Sequence, residues 1–366
     1  MIPCANPNAQ FCSYRDEIEA GVLRVLRGDR YILGPEVDLL EQEFAEYLGV
    51  NSAIGVANGT DALEIALRAL EIGLGDEVIT VSHTAVATVA AIESVGATPV
   101  LVDVDPVFYT LNPDQLGEVL SSKTKAVIAV HLYGQSADLD LIGSFCTKNN
   151  LFLIEDVSQA HGAKWRDKRL GSLGHISCFS CYPTKNLGAI GDAGLIATND
   201  LVFGRKVRMI REYGWQQRYI SDIPGRNSRM DEVQAAILRI KLRHLDSDNE
   251  KRRQIAARYS AGLIDINMKL PCTREFAEHV FHLYVIATSD RDELLDFLKA
   301  RGIYAGIHYP MSVHVQPAYL GRIKTALDMA VSEELQNKVL SLPIYPELKA
   351  DEVDFTISAI KDFKSL

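Results

Sequence analysis

The run GVANGTDALEIAL, residues 55–67, reads as a strand that passes through a short loop directly into a helix. One such unit fixes little, so the question is whether it repeats. It does. SAIGV (52–56), EVITV (77–81), PVLVDV (99–104), AVIAVHL (126–132), LFLIED (151–156), HISCFSC (175–181) and GLIAT (194–198) are short apolar runs with strand character. Between the earlier ones lie DALEIALRALEI (61–72), TVAAIESV (88–95), PDQLGEVLSS (113–122) and DLDLIGSFCTKNN (138–150), all with helical spacing. Near-continuous apolar strands alternating with helices predict an α/β fold whose mostly parallel sheet is covered on both faces.

Ligands of such sheets bind beyond the carboxyl ends of the strands. Chemistry-bearing residues fall in those positions here: NGT (58–60), SHT (82–84), HLYG (131–134), EDVSQ (155–159) and SCYPTK (180–185). Beyond residue 228 the pattern changes. SRMDEVQAAILRIKLRHLDSDNEKRRQIAARYSAGL (228–263) is a long charged helical tract with an apolar stripe, suited to bridging two domains. A strand at 279–288, a helix at 290–302, a Pro/His-rich loop at 308–320 and a helix at 351–364 follow. The expected organisation is a large domain over 1–240, with an N-terminal arm, and a smaller α+β domain over 241–366.

The composition excludes several classes. The 366 residues are 47% hydrophobic and 23% charged, as in an ordinary globular protein. The net charge of −10 is spread without basic patches, which argues against nucleic-acid binding. No apolar run approaches the ~20 residues that span a bilayer. The opening segment MIPCANPNAQFCSYRDE lacks the basic and apolar regions of a signal peptide, so a cytoplasmic protein with reduced thiols is expected. Cys178 and Cys181 form a CxxC on a strand, where positions three apart face opposite sides. No second ligand pair accompanies them, so no metal site is expected and the two read as separate buried thiols.

Three places carry the chemistry. At NGTD the free N–H groups of a helix N-terminus and its dipole favour an anion. Gly59 permits close backbone approach, and Thr60 can cap the helix or offer its hydroxyl. A phosphate fits there, although an ordinary helix cap would read the same. Asp156 ends a buried strand, where a carboxylate needs a positive partner. A protonated pyridine nitrogen would be one, and a turn-capping Asp is the plain alternative. Gln159 can turn back toward the same ligand, and His161 lies within reach as either a ligand or a packed imidazole. Finally, Lys185 follows the sixth strand and precedes NLGAIGDAG, whose small residues leave room for a ligand. A desolvated lysine has a lowered pKa and serves as a Schiff-base nucleophile. Phosphate site, pyridine partner and amine in this order point together to pyridoxal 5'-phosphate.

The chain resembles the DegT-type nucleotide-sugar aminotransferases, a branch of the fold-type I pyridoxal-phosphate enzymes with an aspartate-aminotransferase-like fold. The likeness runs through YILGPEV (31–37), ANGTDAL (57–63), HTAVAT (83–88), EDVSQAHGA (155–163), SCYPTKNLGAIGDAG (180–194), GRNSRMDEVQAAIL (225–238) and HYPMSVHVQPAY (308–319). The resemblance implies that Lys185 carries the cofactor and moves the proton, Asp156 meets the pyridine nitrogen and Gln159 the ring hydroxyl. Gly59, Thr60, Asp61 and Ser180 match the phosphate cup, and Asn227 matches an asparagine that reaches the phosphate from the other subunit of a homodimer. Tyr31, Tyr182, Arg229, His308, Tyr309 and His314 fall in matching stretches that face the sugar nucleotide or the amino acid. The family usually has an aromatic ring over the cofactor where this chain has Ala85, so either Ala85 or His83 covers it. Cys181 stands where phenylalanine is frequent.

The implied reaction moves an amino group from L-glutamate, by way of pyridoxamine 5'-phosphate, to the keto carbon of a nucleotide-linked sugar. C3 of a dTDP-3-keto-6-deoxyhexose fits the closest motifs, in amino-sugar synthesis for a lipopolysaccharide O-antigen or S-layer glycan. A 4-keto or UDP-linked 3-keto sugar is the neighbouring alternative. A lyase of the same fold would have histidine at position 185. A non-catalytic regulator would have little reason to keep Lys185, Asp156 and Gln159 together.

Overall fold

The computed structural model describes residues 1–365. The repeated strand–helix units form β1 (Ser52–Val56), β2 (Glu77–Val81), β3 (Thr98–Val102), β4 (Thr124–Val130), β5 (Phe152–Asp156), β6 (Ile176–Ser180) and β7 (Gly194–Thr198). The C-terminal part adds β8 (Tyr284–Ala287), β9 (Lys324–Thr325) and β10 (Val339–Leu342). The large sheet has the order β1–β7–β6–β5–β4–β2–β3–β9. All its pairs are parallel except those made by β7, which runs antiparallel to both β1 and β6. No helix separates β6 from β7, and without a crossover a following strand must turn back. The expected α/β fold with a mostly parallel sheet is therefore present.

Three elements differ from the sequence reading. The third strand ends at Val102, because Asp103 turns aside to accept the backbone N–H groups of Val331 and Ser332, each at 2.8 Å. The helix expected over 113–122 shrinks to a 3₁₀ turn at Pro113–Gln115 and one turn at Leu116–Val119. The strand expected over 279–288 survives only as β8. Before it, the N–H groups of Val280 and Leu283 bind the carbonyls of Gly134 and Tyr133, which ties the segment to the loop after β4. β9 was not foreseen: two residues are too short for a periodic signal.

Two apolar cores result. The first fills both faces of the large sheet, with Ile54, Ile79, Ile128, Ile154 and Leu195 fully buried. The second packs β8 and β10 against the helix Ala350–Lys364. The 32-residue helix Glu232–Leu263 belongs to both: Leu238, Leu242 and Leu245 enter the first core, and Ile255, Tyr259 and Leu263 the second. Position 240 lies inside this helix. Both cores thus hang on one rod, which fixes the C-terminal loops over the carboxyl ends of β1, β4, β5 and β6.

Candidate active site

A cleft of about 390 Å³ opens at those strand ends. Its floor begins where β1 runs into the helix Gly59–Ala69. Asn58, not Thr60, is the cap: its side chain accepts the N–H of Asp61 at 2.8 Å. Thr60 lies in the first helical turn and lines the cleft beside Gly59 and Ser180. Glycine is required at 59, since a Cβ there would stand 2.5 Å from Ser180 Cβ. The close approach sets the hydroxyl of Ser180 against the positive end of the helix, an arrangement that suits an anion.

Asp156 ends β5, the strand beside β6, and lines the same cleft. It accepts Thr88 Oγ1 at 3.1 Å and the Ser158 N–H at 3.2 Å, and it has no cationic partner among the described residues. Gln159 is fully engaged on one side: its Oε1 accepts the Tyr133 N–H at 2.8 Å, and its Nε2 donates to the Tyr309 hydroxyl at 2.9 Å. One Nε2 hydrogen is left for a ligand. Burial pushes the Tyr309 hydroxyl up to about 12, so it remains protonated near neutrality.

Lys185 reaches the cleft from the turn after β6. It is partly buried, and its amine makes no hydrogen bond or ion pair among the described residues. Burial pushes its amine down to about 8, against the opposing pull of Asp156 and then Cys181. The thiols of Cys181 and Cys178 are fully buried and pushed up by desolvation, so they are packing groups. Among the described residues no cluster of His, Cys, Asp or Glu is arranged to hold a metal.

Of the residues expected from the sequence, Gly59, Thr60, Ala85, Asp156, Gln159, Ser180, Tyr182, Lys185, His308 and Tyr309 line the one cleft. The others do not. Asp61 turns away to pair with Arg226 at 3.1 Å. His83 is fully buried and bonds the Tyr133 hydroxyl at 2.6 Å, so Ala85 alone of that pair borders the cleft. His314 is held between Ser82 Oγ at 2.6 Å and Glu333 at 3.1 Å. Tyr31 is 53% exposed, and Asn227 and Arg229 lie outside this cleft on the chain's own surface. His161 is buried against Phe179 with neither ring nitrogen bonded, a packed imidazole pushed down to about 3 by burial. Sequence reasoning missed Asn58, Thr88, Ser158 and His282. Asn58 and Ser158 have a local signal, a polar residue beside a strand end; Thr88 and His282 have none.

The donor set fits pyridoxal 5'-phosphate. A helix N-terminus with Ser180 and Thr60 suits the phosphate, a buried carboxylate with no ion-pair partner among the described residues suits the pyridine nitrogen, and the same cleft holds an unpartnered amine of lowered pKa. Fold and site together define a pyridoxal-phosphate-dependent enzyme of fold type I, built like aspartate aminotransferase.

Comparison with known proteins narrows this. Residues 13–361 match the DegT/DnrJ/EryC1/StrS aminotransferase family, and the chain belongs to it. A dTDP-3-amino-3,4,6-trideoxy-alpha-D-glucose transaminase of Streptomyces venezuelae is 42% identical over 99% of this chain and 96% of its own. A dTDP-3-amino-3,6-dideoxy-alpha-D-galactopyranose transaminase of Aneurinibacillus thermoaerophilus is 44% identical over 99% of both chains. The crystal structure of S. venezuelae DesV in complex with a ketimine intermediate superposes with a TM-score of 0.97 at 42% identity, covering 100% of this chain and 99% of that one. The protein is thus an aminotransferase, and its family depends on pyridoxal phosphate. No helix among the described residues is long and apolar enough to cross a membrane.

Proposed function

We propose that the protein transfers an amino group from L-glutamate to C3 of a dTDP-linked 3-keto-6-deoxyhexose. The observation that carries this reading is the unpartnered amine of Lys185 in one cleft with Asp156, in a chain 42% and 44% identical to two dTDP-3-amino-sugar transaminases. When bound, the cofactor supplies an electron sink that makes the α-proton of an amino acid removable. Lys185 Nζ anchors the cofactor and, once displaced, accepts that proton and later returns it. With a pKa near 8 the amine is poised to do both close to neutral pH. Asp156 would meet the pyridine nitrogen, its carboxylate oriented by the Thr88 hydroxyl and the Ser158 N–H. Gln159 orients the ring through its free Nε2 hydrogen, and Thr60 and Ser180 take the phosphate.

The working unit is a homodimer. Asn227 is exposed and Arg229 has no side-chain partner among the described residues, which suits residues that complete a second subunit's cleft. His308, Tyr309 and Tyr182 face the incoming sugar or amino acid. The two-domain division near residue 240, a cytoplasmic location and service to an O-antigen or S-layer glycan complete the reading.

The test is product analysis. Purified protein, glutamate and a panel of dTDP- and UDP-linked 3-keto and 4-keto sugars are incubated, and the products are identified by NMR. A dTDP-linked 3-amino sugar is expected. Turnover of the 4-keto isomer with none of the 3-keto sugar refutes the regiochemistry, and no turnover of any sugar with Lys185 unmodified favours the regulator.

A further inference from the structure

Lys185 is free at its tip and fixed at its root. After β6 the backbone turns tightly: the Lys185 N–H donates to the carbonyl of Tyr182, and the Ala189 N–H to that of Cys181, each at 2.8 Å. Gly188 folds back over this turn. A Cβ there would stand 2.5 Å from the Pro183 carbonyl oxygen and 2.9 Å from that of Lys185. Whatever holds Gly188 thus holds the peptide groups around Lys185.

The long helix Glu232–Leu263 grips the segment that follows at every second residue. Asn249 Oδ1 accepts Asn186 Nδ2 at 2.8 Å, Lys241 Nζ donates to the carbonyl of Gly188 at 2.7 Å, and Gln234 Oε1 accepts the Ile190 N–H at 3.0 Å. The segment therefore runs antiparallel along the helix. Positions 234, 241 and 249 recur at about two helical turns, so they share one face. Asn249 is itself fixed, its Nδ2 donating to the carbonyl of His161 at 2.8 Å. Asn186 Nδ2 also reaches the carbonyl of Val280 at 3.2 Å, which leaves its Oδ1 to accept the Nδ1 hydrogen of His282 at 3.2 Å.

Lys241 is the telling member of the three. It is 2% exposed, its amine makes that one hydrogen bond, and no carboxylate lies within ion-pair distance among the described residues. Burial pushes the amine down to about 8, against the opposing pull of Glu347, Asp248 and Cys181. A methionine would fill the same space without desolvating an amine, so this lysine costs stability where it stands. What it supplies is a fixed position for the Gly188 carbonyl.

We propose that Lys241 is a positioning residue for Lys185: with Gln234 and Asn249 it locks the 186–190 segment to the long helix and so fixes the point from which the Lys185 side chain enters the cleft. The inference rests on the reading of Lys185 as the cofactor-bearing amine. With its backbone anchored, Lys185 moves Nζ only through its side-chain torsions as it takes up a proton and gives it back. The same helix enters both apolar cores, so the amine is referenced to an element that both cores hold.

The test uses the full chain freed of cofactor and reloaded. Stopped-flow absorbance gives the first-order rate constant with which saturating pyridoxal phosphate is captured. Misplacing a reacting group by about 1 Å can cost ~100-fold, so loss of one tether in Lys241→Met should lower that constant by about tenfold. In the reloaded enzyme kcat should fall alongside it, while KM for glutamate and for the sugar stays within about twofold. Lys241→Gln, which keeps a donor, should recover most of both. A role confined to folding lowers Tm and leaves these constants alone, so a capture constant within about twofold of the parent in folded Lys241→Met overturns the proposal. Should that variant not fold, the half-buried Gln234 decides. Gln234→Met should slow capture and Gln234→Glu, which keeps the acceptor for Ile190, should restore it; capture unmoved in Gln234→Met overturns the proposal. Borohydride trapping and peptide mapping separate the two layers. Label on another residue, Lys241 included, fails the reading of Lys185, whereas label on Lys185 with an unmoved constant fails only the role of Lys241.

Discussion

Replacing Glu155 by glutamine tests how the sheet holds the neighbouring Asp156 in register. Glu155 is fully buried, and its carboxylate accepts four hydrogen bonds. They come from the N–H groups of Gly171 at 2.8 Å, Leu173 at 2.9 Å and Gly174 at 2.6 Å, and from His131 Nε2 at 3.2 Å. The Ala137 N–H binds His131 Nδ1 at 3.1 Å, so the imidazole hydrogen is on Nε2 and points at the carboxylate. A carboxamide has the same shape but only one acceptor oxygen. Either the two donors on Oε1 or the two on Oε2 would then face an NH₂ group. Buried donors left without acceptors cost ~1–3 kcal/mol each, so with two of them the variant should lose roughly 2–6 kcal/mol. At about 2 cal/mol/K per residue, a chain this long shifts only about 1–2 °C per kcal/mol, so Tm should drop roughly 3–8 °C in differential scanning calorimetry. The pH dependence gives a second reading. Burial raises the carboxyl's pKa, but His131 and the backbone donors outweigh it and hold the group below its ordinary value. A depressed pKa contributes stability above the unfolded value of ~4.3, lost as pH falls through the folded one. The gap between parent and variant should therefore be full at pH 7 and close below about pH 4. A Tm within about 1 °C of the parent at pH 7 would refute the claim that the carboxylate is anionic and holds the 171–174 turn.

Lys185→Ala should abolish amino transfer and covalent capture of the cofactor. In the parent, capture should accelerate as pH rises through about 8, where the amine becomes neutral, and a midpoint at the ordinary 10.5 would contradict the buried setting. Thr88→Val removes a hydrogen bond to Asp156 at unchanged volume, and such bonds to charged groups contribute ~1.5–3 kcal/mol. The Tm of the cofactor-free variant should fall by about 2–6 °C, and its Kd for pyridoxal phosphate, from equilibrium dialysis, should rise because the carboxylate is no longer held in place. Gly59→Ala drives a Cβ to 2.5 Å from Ser180 Cβ, and overpacking of this kind costs ~1–3 kcal/mol. Both Tm and cofactor affinity should fall, and an unchanged affinity would remove Ser180 from the phosphate cup.

Much of the site was legible because its key groups follow strands directly. Asp156 and Ser180 are the last residues of β5 and β6; the expected apolar runs end at Asp156 and, one residue late, at Cys181. Lys185 stood out by the small residues after it. The groups that complete the site come from far along the chain. Thr88 meets Asp156 across 68 residues, and His282 meets Asn186 across 96. Local patterns hold no record of such pairings. The segment before β8 misled for the same reason: its apolar and aromatic residues have strand character, but its N–H groups are spent on the loop after β4. Asn58 and Thr60 both look like caps, and only the geometry of the turn decides for Asn58.

The contrast between His83 and His282 shows what finally separates scaffold from site. Both are buried neutral imidazoles near strand ends, and the sequence favoured His83. The hydroxyl of Tyr133 donates to the carbonyl of His308, so it must accept from His83 Nε2. Tyr133 also gives its N–H to Gln159, and Gln159 in turn holds Tyr309. The Nε2 hydrogen of His83 is therefore spent on a clamp that joins the loops after β2, β4 and β5 to the segment carrying His308 and Tyr309. Its Nδ1 is sealed away from solvent without a partner. His282 has the opposite arrangement: its Nδ1 is committed to the scaffold and its Nε2 edge is left for the cleft. Lys185, with its unpartnered amine, and Asp156, with no counter-charge, share that unspent capacity. Unspent bonding capacity marks a ligand-meeting group only where it opens on the cleft; His83 Nδ1 and both His161 nitrogens are equally unpartnered but sealed in the core.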